Sequence, residues 1–154
     1  MTSPDHRPHP DSATHTGLER AITAARVAAE TRGTDLVVLD LRELTPVFDF
    51  FVIATGTSRR QIHAMADEIE LVLKQQYGDL KRGGEGYEEG RWIVLDYGDT
   101  VVHLLDAEAR EFWDLEGLWV DARRVALPDS IPQPAAVSNE ATGEVQPQPP
   151  ASSL

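Results

Sequence analysis

The chain has no cysteine, so any chemistry must come from carboxylates, histidines, hydroxyls and backbone amides. That excludes a thiolate nucleophile, a cysteine-ligated metal and a disulfide. Gly56-Thr57-Ser58 follows an apolar run and precedes a helical pattern, where backbone N–H groups could hold a phosphate. A polymerase-type nucleotidyltransferase would add a carboxylate pair on a neighbouring strand to hold magnesium. No Asp-x-Asp or Glu-x-Glu pair follows on a strand. Asp67, Glu68 and Glu70 fall on the helical stretch, and Asp96 and Asp99 are separated by a turn. The Walker lysine motif is also missing. Ser58 therefore reads as a helix cap. Asp49, ahead of the apolar run, reads as a loop cap.

His103 lies between Val102 and Leu104 in an apolar segment. It has no evident nucleophile or metal partner, so it reads as a buried, hydrogen-bonded imidazole. His63 flanks an apolar helical stripe and is expected to be exposed. His6, His9 and His15 match no closed metal site. No catalytic residue, metal ligand or cofactor is assigned.

The richest cluster is Trp92, Asp96 and Tyr97. An indole, a carboxylate and a phenol near a turn suit a binding hot spot as well as a core. Asp96 could meet a lysine or arginine of a basic partner.

The elements that must position these groups follow from periodicity. Trp92–Tyr97 and Val101–Asp106 are apolar runs joined by Tyr97-Gly98-Asp99-Thr100, a two-residue hairpin signal. Alternation sets Trp92, Val94 and Asp96 against Ile93, Leu95 and Tyr97. Both faces are apolar, so the hairpin lies deep in a sheet or offers one face to a partner. Asp106 should cap a helix carrying Ala109, Phe112 and Trp113 on one stripe.

Upstream, Thr16-x-x-Glu19 reads as a capping box. It opens a helix with a stripe of Leu18, Ala21, Ile22, Ala25 and Ala28, stopped by Gly33. Asp35–Arg42 reads as a strand and Glu43–Asp49 as a loop. Phe50–Thr55 reads as a central strand covered on both faces. Ser58-x-x-Gln61 is a second capping box. Ile62, Met65, Ala66, Ile69, Val72, Leu73 and Tyr77 then recur over about four turns, to a stop at Gly78. A short strand is expected at Leu80–Arg82, and Asp121–Leu127 reads as a strand or an extended tail. The order α-β-β-α-β-β-α gives an α/β fold with a mixed sheet and flanking helices. The strand before and the strand after the long helix are expected to run parallel.

The chain has 154 residues, enough for one core, and a formal net charge of −12. From Leu18 to Leu127 there are 13 basic and 21 acidic side chains, leaving −8. That field disfavours a general nucleic-acid binder and suits a basic protein partner. No stretch approaches the ~20 apolar residues of a membrane helix, and no secretory leader is evident, so a cytoplasmic protein is expected. Residues 1–15 and 128–154, rich in proline and polar residues, read as disordered flanks of a single domain at 16–127.

Three blocks together carry a family resemblance: Asp49–Ser58 (DFFVIATGTS), Trp92–His103 (WIVLDYGDTVVH) and Leu115–Trp119 (LEGLW). Over about Leu18–Val125 the chain closely resembles the ribosomal silencing factor family, RsfS or Iojap-like. Trp113 stands where many relatives carry tyrosine. The resemblance implies a nucleotidyltransferase-like fold without its metal carboxylates. It implies binding to the large ribosomal subunit through ribosomal protein L14, a steric block to small-subunit joining, and repression of translation. Carried over, the contact residues are Trp92, Leu95, Asp96 and Tyr97, with Val94 and Ile93 as neighbours. A homodimer of the free protein and a large-subunit assembly role are the implied alternatives. A nucleotidyltransferase-like enzyme is a weaker one.

Overall fold

The computed structural model describes residues 10–132. Its elements run α1 (Pro10–Glu30), β1 (Thr34–Asp40), β2 (Phe50–Gly56), α2 (Arg59–Tyr77), β3 (Gly83–Glu85), β4 (Trp92–Asp96), β5 (Thr100–Asp106), α3 (Ala107–Trp113), α4 (Leu115–Leu118) and β6 (Arg123–Arg124). The six strands form one mixed sheet in the order β3-β4-β5-β2-β1-β6. Only β2 and β5 pair in parallel, and the other four pairings are antiparallel. The mixed α/β expectation therefore holds. The parallel crossover is placed differently from the reading: the strand that returns alongside β2 is β5, and β4 is the antiparallel strand on its far side.

All seven residues of β2 are buried, as a continuous apolar run requires of a central strand. One sheet face packs against α1 and α2. There Val38, Phe50, Val52, Ala54, Val102 and Leu104 meet Ala21, Ala25, Ala28, Ile62, Met65, Ile69 and Leu73. The small side chains of α1 let the helix lie close to the sheet, and each buried large aliphatic contributes about 1.5–3 kcal/mol. The opposite face holds a smaller cluster of Leu39, Leu41, Phe51, Ile53, Val101 and Leu105. Among the described residues, its helical cover is the short pair α3 and α4. This asymmetry of cover shapes the site.

The helix termini correct several sequence expectations. α1 begins at Pro10, so Thr16–Glu19 lies inside the helix and not at its start. Gly17 sits mid-helix, where an added Cβ would come within 3.4 Å of the Phe50 ring. The left-handed residue after α1 is Arg32 (φ 68°), one before the expected Gly33. The Gly33 and Arg32 amides donate to the Ala28 and Ala29 carbonyls, closing a Schellman motif. Gly33 is needed for another reason: a Cβ there would lie 2.8 Å from the Ala28 carbonyl oxygen and from Met65 Sδ. Gly78 (φ 65°) ends α2 as expected. The short strand falls at Gly83–Glu85, not Leu80–Arg82.

Past β6 the chain continues to pack. The Val125 amide donates to the Val38 carbonyl, and Ile131 is buried in the larger cluster. The core therefore takes in a residue beyond the expected boundary at 127. The rest of the expected flanks, residues 1–9 and 133–154, lies outside the described residues. Among the described residues, no helix is long and apolar enough to cross a membrane.

Candidate functional site: the partly covered face of the β4–β5 hairpin

The hairpin turn is built as its sequence demands. The Asp96 carboxylate accepts from the Gly98 amide at 2.8 Å, the Tyr97 amide donates to the Thr100 carbonyl at 2.9 Å, and Gly98 takes φ 95°. Pleating then divides the four contact residues carried over from the family and their two neighbours. Leu95 (1% exposed) and Tyr97 (4% exposed) point with Ile93 into the core beneath α1 and α2. Neither can face a partner, which corrects their assignment. The cause is register: both share the parity of Ile93, and the strand keeps its pleat up to the turn. The Tyr97 hydroxyl is enclosed without a hydrogen-bond partner, and burial pushes its phenol well above the ordinary range. Trp92, Val94 and Asp96 lie on the opposite face and are half-buried.

Around Trp92 the second face is aromatic. Its indole N–H donates to His103 Nδ1 at 3.2 Å, so the imidazole carries its proton on Nε2. His103 is 6% exposed, and Nε2 has no partner. Burial pulls the imidazole down to about 4, keeping it neutral. Phe51 packs edge-on against His103 at 4.6 Å between ring centroids, and Trp119 against Phe51 at 5.9 Å. The expectation of a buried, hydrogen-bonded His103 agrees with this arrangement. His63, expected to be exposed, is half-buried; its ring packs on Tyr87 and its Nε2 contacts the Tyr87 carbonyl.

The helix after β5 departs from its sequence reading. Asp106 caps α3 as expected, accepting from the Ala109 amide at 2.7 Å. Of the stripe Ala109, Phe112 and Trp113, however, only Ala109 is buried. Phe112 is 75% exposed and Trp113 51% exposed. α3 has only about two turns, and it seats Ala109 alone against the sheet while both aromatics of its last turn stay outside. Trp113 lies against Trp92, with ring centroids 5.4 Å apart, and Phe112 lies 5.1 Å from Trp113. With Glu89, Arg91, Glu108 and Ala109, these three rings line a recess of about 450 Å³. The signal in the sequence was the heptapeptide's shortness between two Asp caps, Asp106 and Asp114.

Arg110 fixes this layer to the sheet. Its guanidinium donates to both Glu116 oxygens, at 2.9 and 3.0 Å, and to Thr55 Oγ1 at 2.8 Å. That joins α3, α4 and β2 and holds the Glu116 carboxyl below its usual range. The fixed α4 in turn delivers Trp119 onto Phe51.

The phosphate-loop candidate is already spent within the chain. Ser58 Oγ accepts from the Gln61 amide at 3.1 Å. Gln61 Oε1 accepts from the Thr57 amide and hydroxyl, while its Nε2 donates to the Thr31 and Arg32 carbonyls. Gln61 therefore does not close the expected capping box on Ser58; it ties the start of α2 to the end of α1. Gly56 is a packing residue, because a Cβ there would lie 2.6 Å from Ile62 Cγ1. Asp49 is half-buried in the loop before β2, and burial, with Asp99 nearby, raises its carboxyl. Among the described residues, no three His, Asp or Glu side chains gather where a metal could sit.

Comparison with known proteins now bears on this face. Residues 14–152 match the family model described as "Ribosomal silencing factor during starvation". The chain belongs to the RsfS family. The Ribosomal silencing factor RsfS of Chromobacterium violaceum is 38% identical over 96 residues, covering 62% of this chain and 78% of that one. The mouse protein named "Mitochondrial assembly of ribosomal large subunit protein 1" is 33% identical over 125 residues, covering 77% of this chain and 53% of that protein. A crystal structure of a Chromobacterium violaceum protein superposes with a TM-score of 0.65 at 32% identity, covering 77% of this chain and 97% of that one. RsfS membership places the chain among ribosome-associated regulators of translation.

Proposed function

We propose that this chain docks on the large ribosomal subunit through ribosomal protein L14, sterically blocks small-subunit joining and so represses translation. It acts as a cytoplasmic binding module and not as an enzyme. The observation that carries this reading is the second sheet face, where Trp92, Val94 and Asp96 stay half-buried beside exposed aromatics while the first face is sealed by two helices. Residues that a chain leaves uncovered in this combination are those that anchor partners. The net charge of −12 favours encounter with a basic ribosomal protein. Leu95 and Tyr97 contribute from beneath, by seating the hairpin in the core. A homodimer of the free protein would cover the same face, so dimerisation and subunit binding would compete.

The test is subunit association in sucrose gradients, with and without the full chain. Wild type should hold the two subunits apart. Trp92→Ala should abolish the effect. Asp96→Asn keeps the oxygen that accepts from Gly98 but removes the charge, and should weaken it. Unchanged joining with wild type would remove the proposal; full activity of both variants would remove the site.

The mouse relative's name supports a second reading, in which the same docking serves large-subunit assembly. Immature large subunits accumulating in a deletion strain during growth would favour assembly. A normal precursor profile would favour silencing.

A further inference from the structure

We infer that the recess between β4 and α3 is a socket for one cationic side chain, a lysine or arginine, of the basic protein on which this face docks. The inference rests on the docking reading above and gives that surface its chemistry. Two observations support it independently. The first is aromatic: Trp92, Trp113 and Phe112 form a contiguous group at the recess, with neighbouring ring centroids 5.1–5.4 Å apart, and two of the three are more than half exposed. Indole faces carry negative quadrupolar potential, and a cation within about 6 Å of a ring centroid is attracted to it.

The second is charge. The rim carries Glu89, Glu108 and Arg91. Arg91 is already held by Asp106 and Glu108, at 3.2 Å each. Glu89 makes no ion pair among the described residues. The rim thus carries two carboxylates to one guanidinium, and that guanidinium is further offset by Asp106 behind it. That balance favours an incoming cation. It opposes an RNA base stacking on the same rings, because the attached phosphate would meet the carboxylates. A purely aliphatic occupant would leave the Glu89 carboxylate unmatched.

The experiment uses the full chain and purified large subunits, with affinity read by co-sedimentation at low and high salt. Trp113→Ala should weaken binding about tenfold and Trp113→Phe by no more than about threefold, since a phenyl face still attracts a cation. Glu89→Gln should weaken binding about threefold at low salt, with the difference shrinking at high salt. Trp113 is half exposed, so its variants should fold, and circular dichroism checks this. Wild-type affinity in Trp113→Ala would overturn the inference while leaving the docking reading intact. Loss in Trp113→Ala with no effect of Glu89→Gln and no salt dependence would mean an apolar occupant, and would overturn it too. So would a Trp113→Ala variant that turned a dimer into a monomer yet bound subunits normally. Failure of wild type to bind large subunits at all would bring down the docking reading and this inference with it.

Discussion

His103 should give the domain a measurable acid sensitivity in a window where its carboxylates are still ionised. The folded imidazole titrates near about 4 because it is buried between Phe51 and Trp92. In the unfolded chain it titrates near its ordinary value of about 6.5. The unfolded state therefore binds this proton first, and stability falls as pH falls. Well above about pH 6.5 both states are neutral and nothing is lost. Linkage gives a loss of about 2 kcal/mol by pH 5 and about 3 kcal/mol by pH 4. For a domain of typical stability, about 5–15 kcal/mol, that is a substantial share. The assay is urea unfolding of wild type and His103→Phe from neutral pH down to pH 5. The variant loses the acceptor for the Trp92 indole, which costs a constant amount of about 1 kcal/mol. It also loses the titration, so the gap between the two proteins should close, or reverse, as the solution becomes acidic. Asp40 and Glu116, whose carboxyls are held low by Arg42 and Arg110, lose their contributions further down in pH and equally in both proteins. A gap that stays constant through this window would refute the argument, as would an imidazole resonance titrating near 6.5 in the folded state.

Two further predictions concern the frame of the site. Gly86→Ala should cost at least about 2 kcal/mol in thermal or urea unfolding, because φ is 80° there and the new Cβ would lie 1.9 Å from the Trp92 carbonyl oxygen; wild-type stability would contradict the backbone path between β3 and β4. Ile131→Ala should cost about 2–4 kcal/mol, since the side chain is buried in the larger core cluster. A chain ended after Leu127 should lose at least as much as that substitution.

Much of the fold was legible because its signals are local. The continuous apolar run of β2, the 3.6-residue stripe of α2, the Gly98-Asp99 turn and the Asp106 cap each draw their geometry from a few neighbouring residues. The errors came where local signals had rivals. Thr16-x-x-Glu19 resembles a capping box, yet α1 runs through it. The left-handed stop after α1 falls at Arg32, while Gly33 is needed where a Cβ would meet the Ala28 carbonyl and Met65. Ile131 stands between Ser130 and Pro132 in a polar stretch and gives no periodic hint that it returns to the core.

The candidate site divides along the same line. Alternation in Trp92–Tyr97 already separated Trp92, Val94 and Asp96 from Ile93, Leu95 and Tyr97, since a strand's pleat is a property of its own backbone. Which set would be sealed and which left open could not be read there, because both are apolar. The tertiary structure decided it: α1 and α2 both pack on one side of the sheet and bury Leu95 and Tyr97. The other side receives the short helices α3 and α4, which bury only Ala109 and Leu115, so Phe112 and Trp113 remain outside beside Trp92. Local sequence fixes the direction in which a side chain points; whether anything waits there to cover it depends on residues far along the chain.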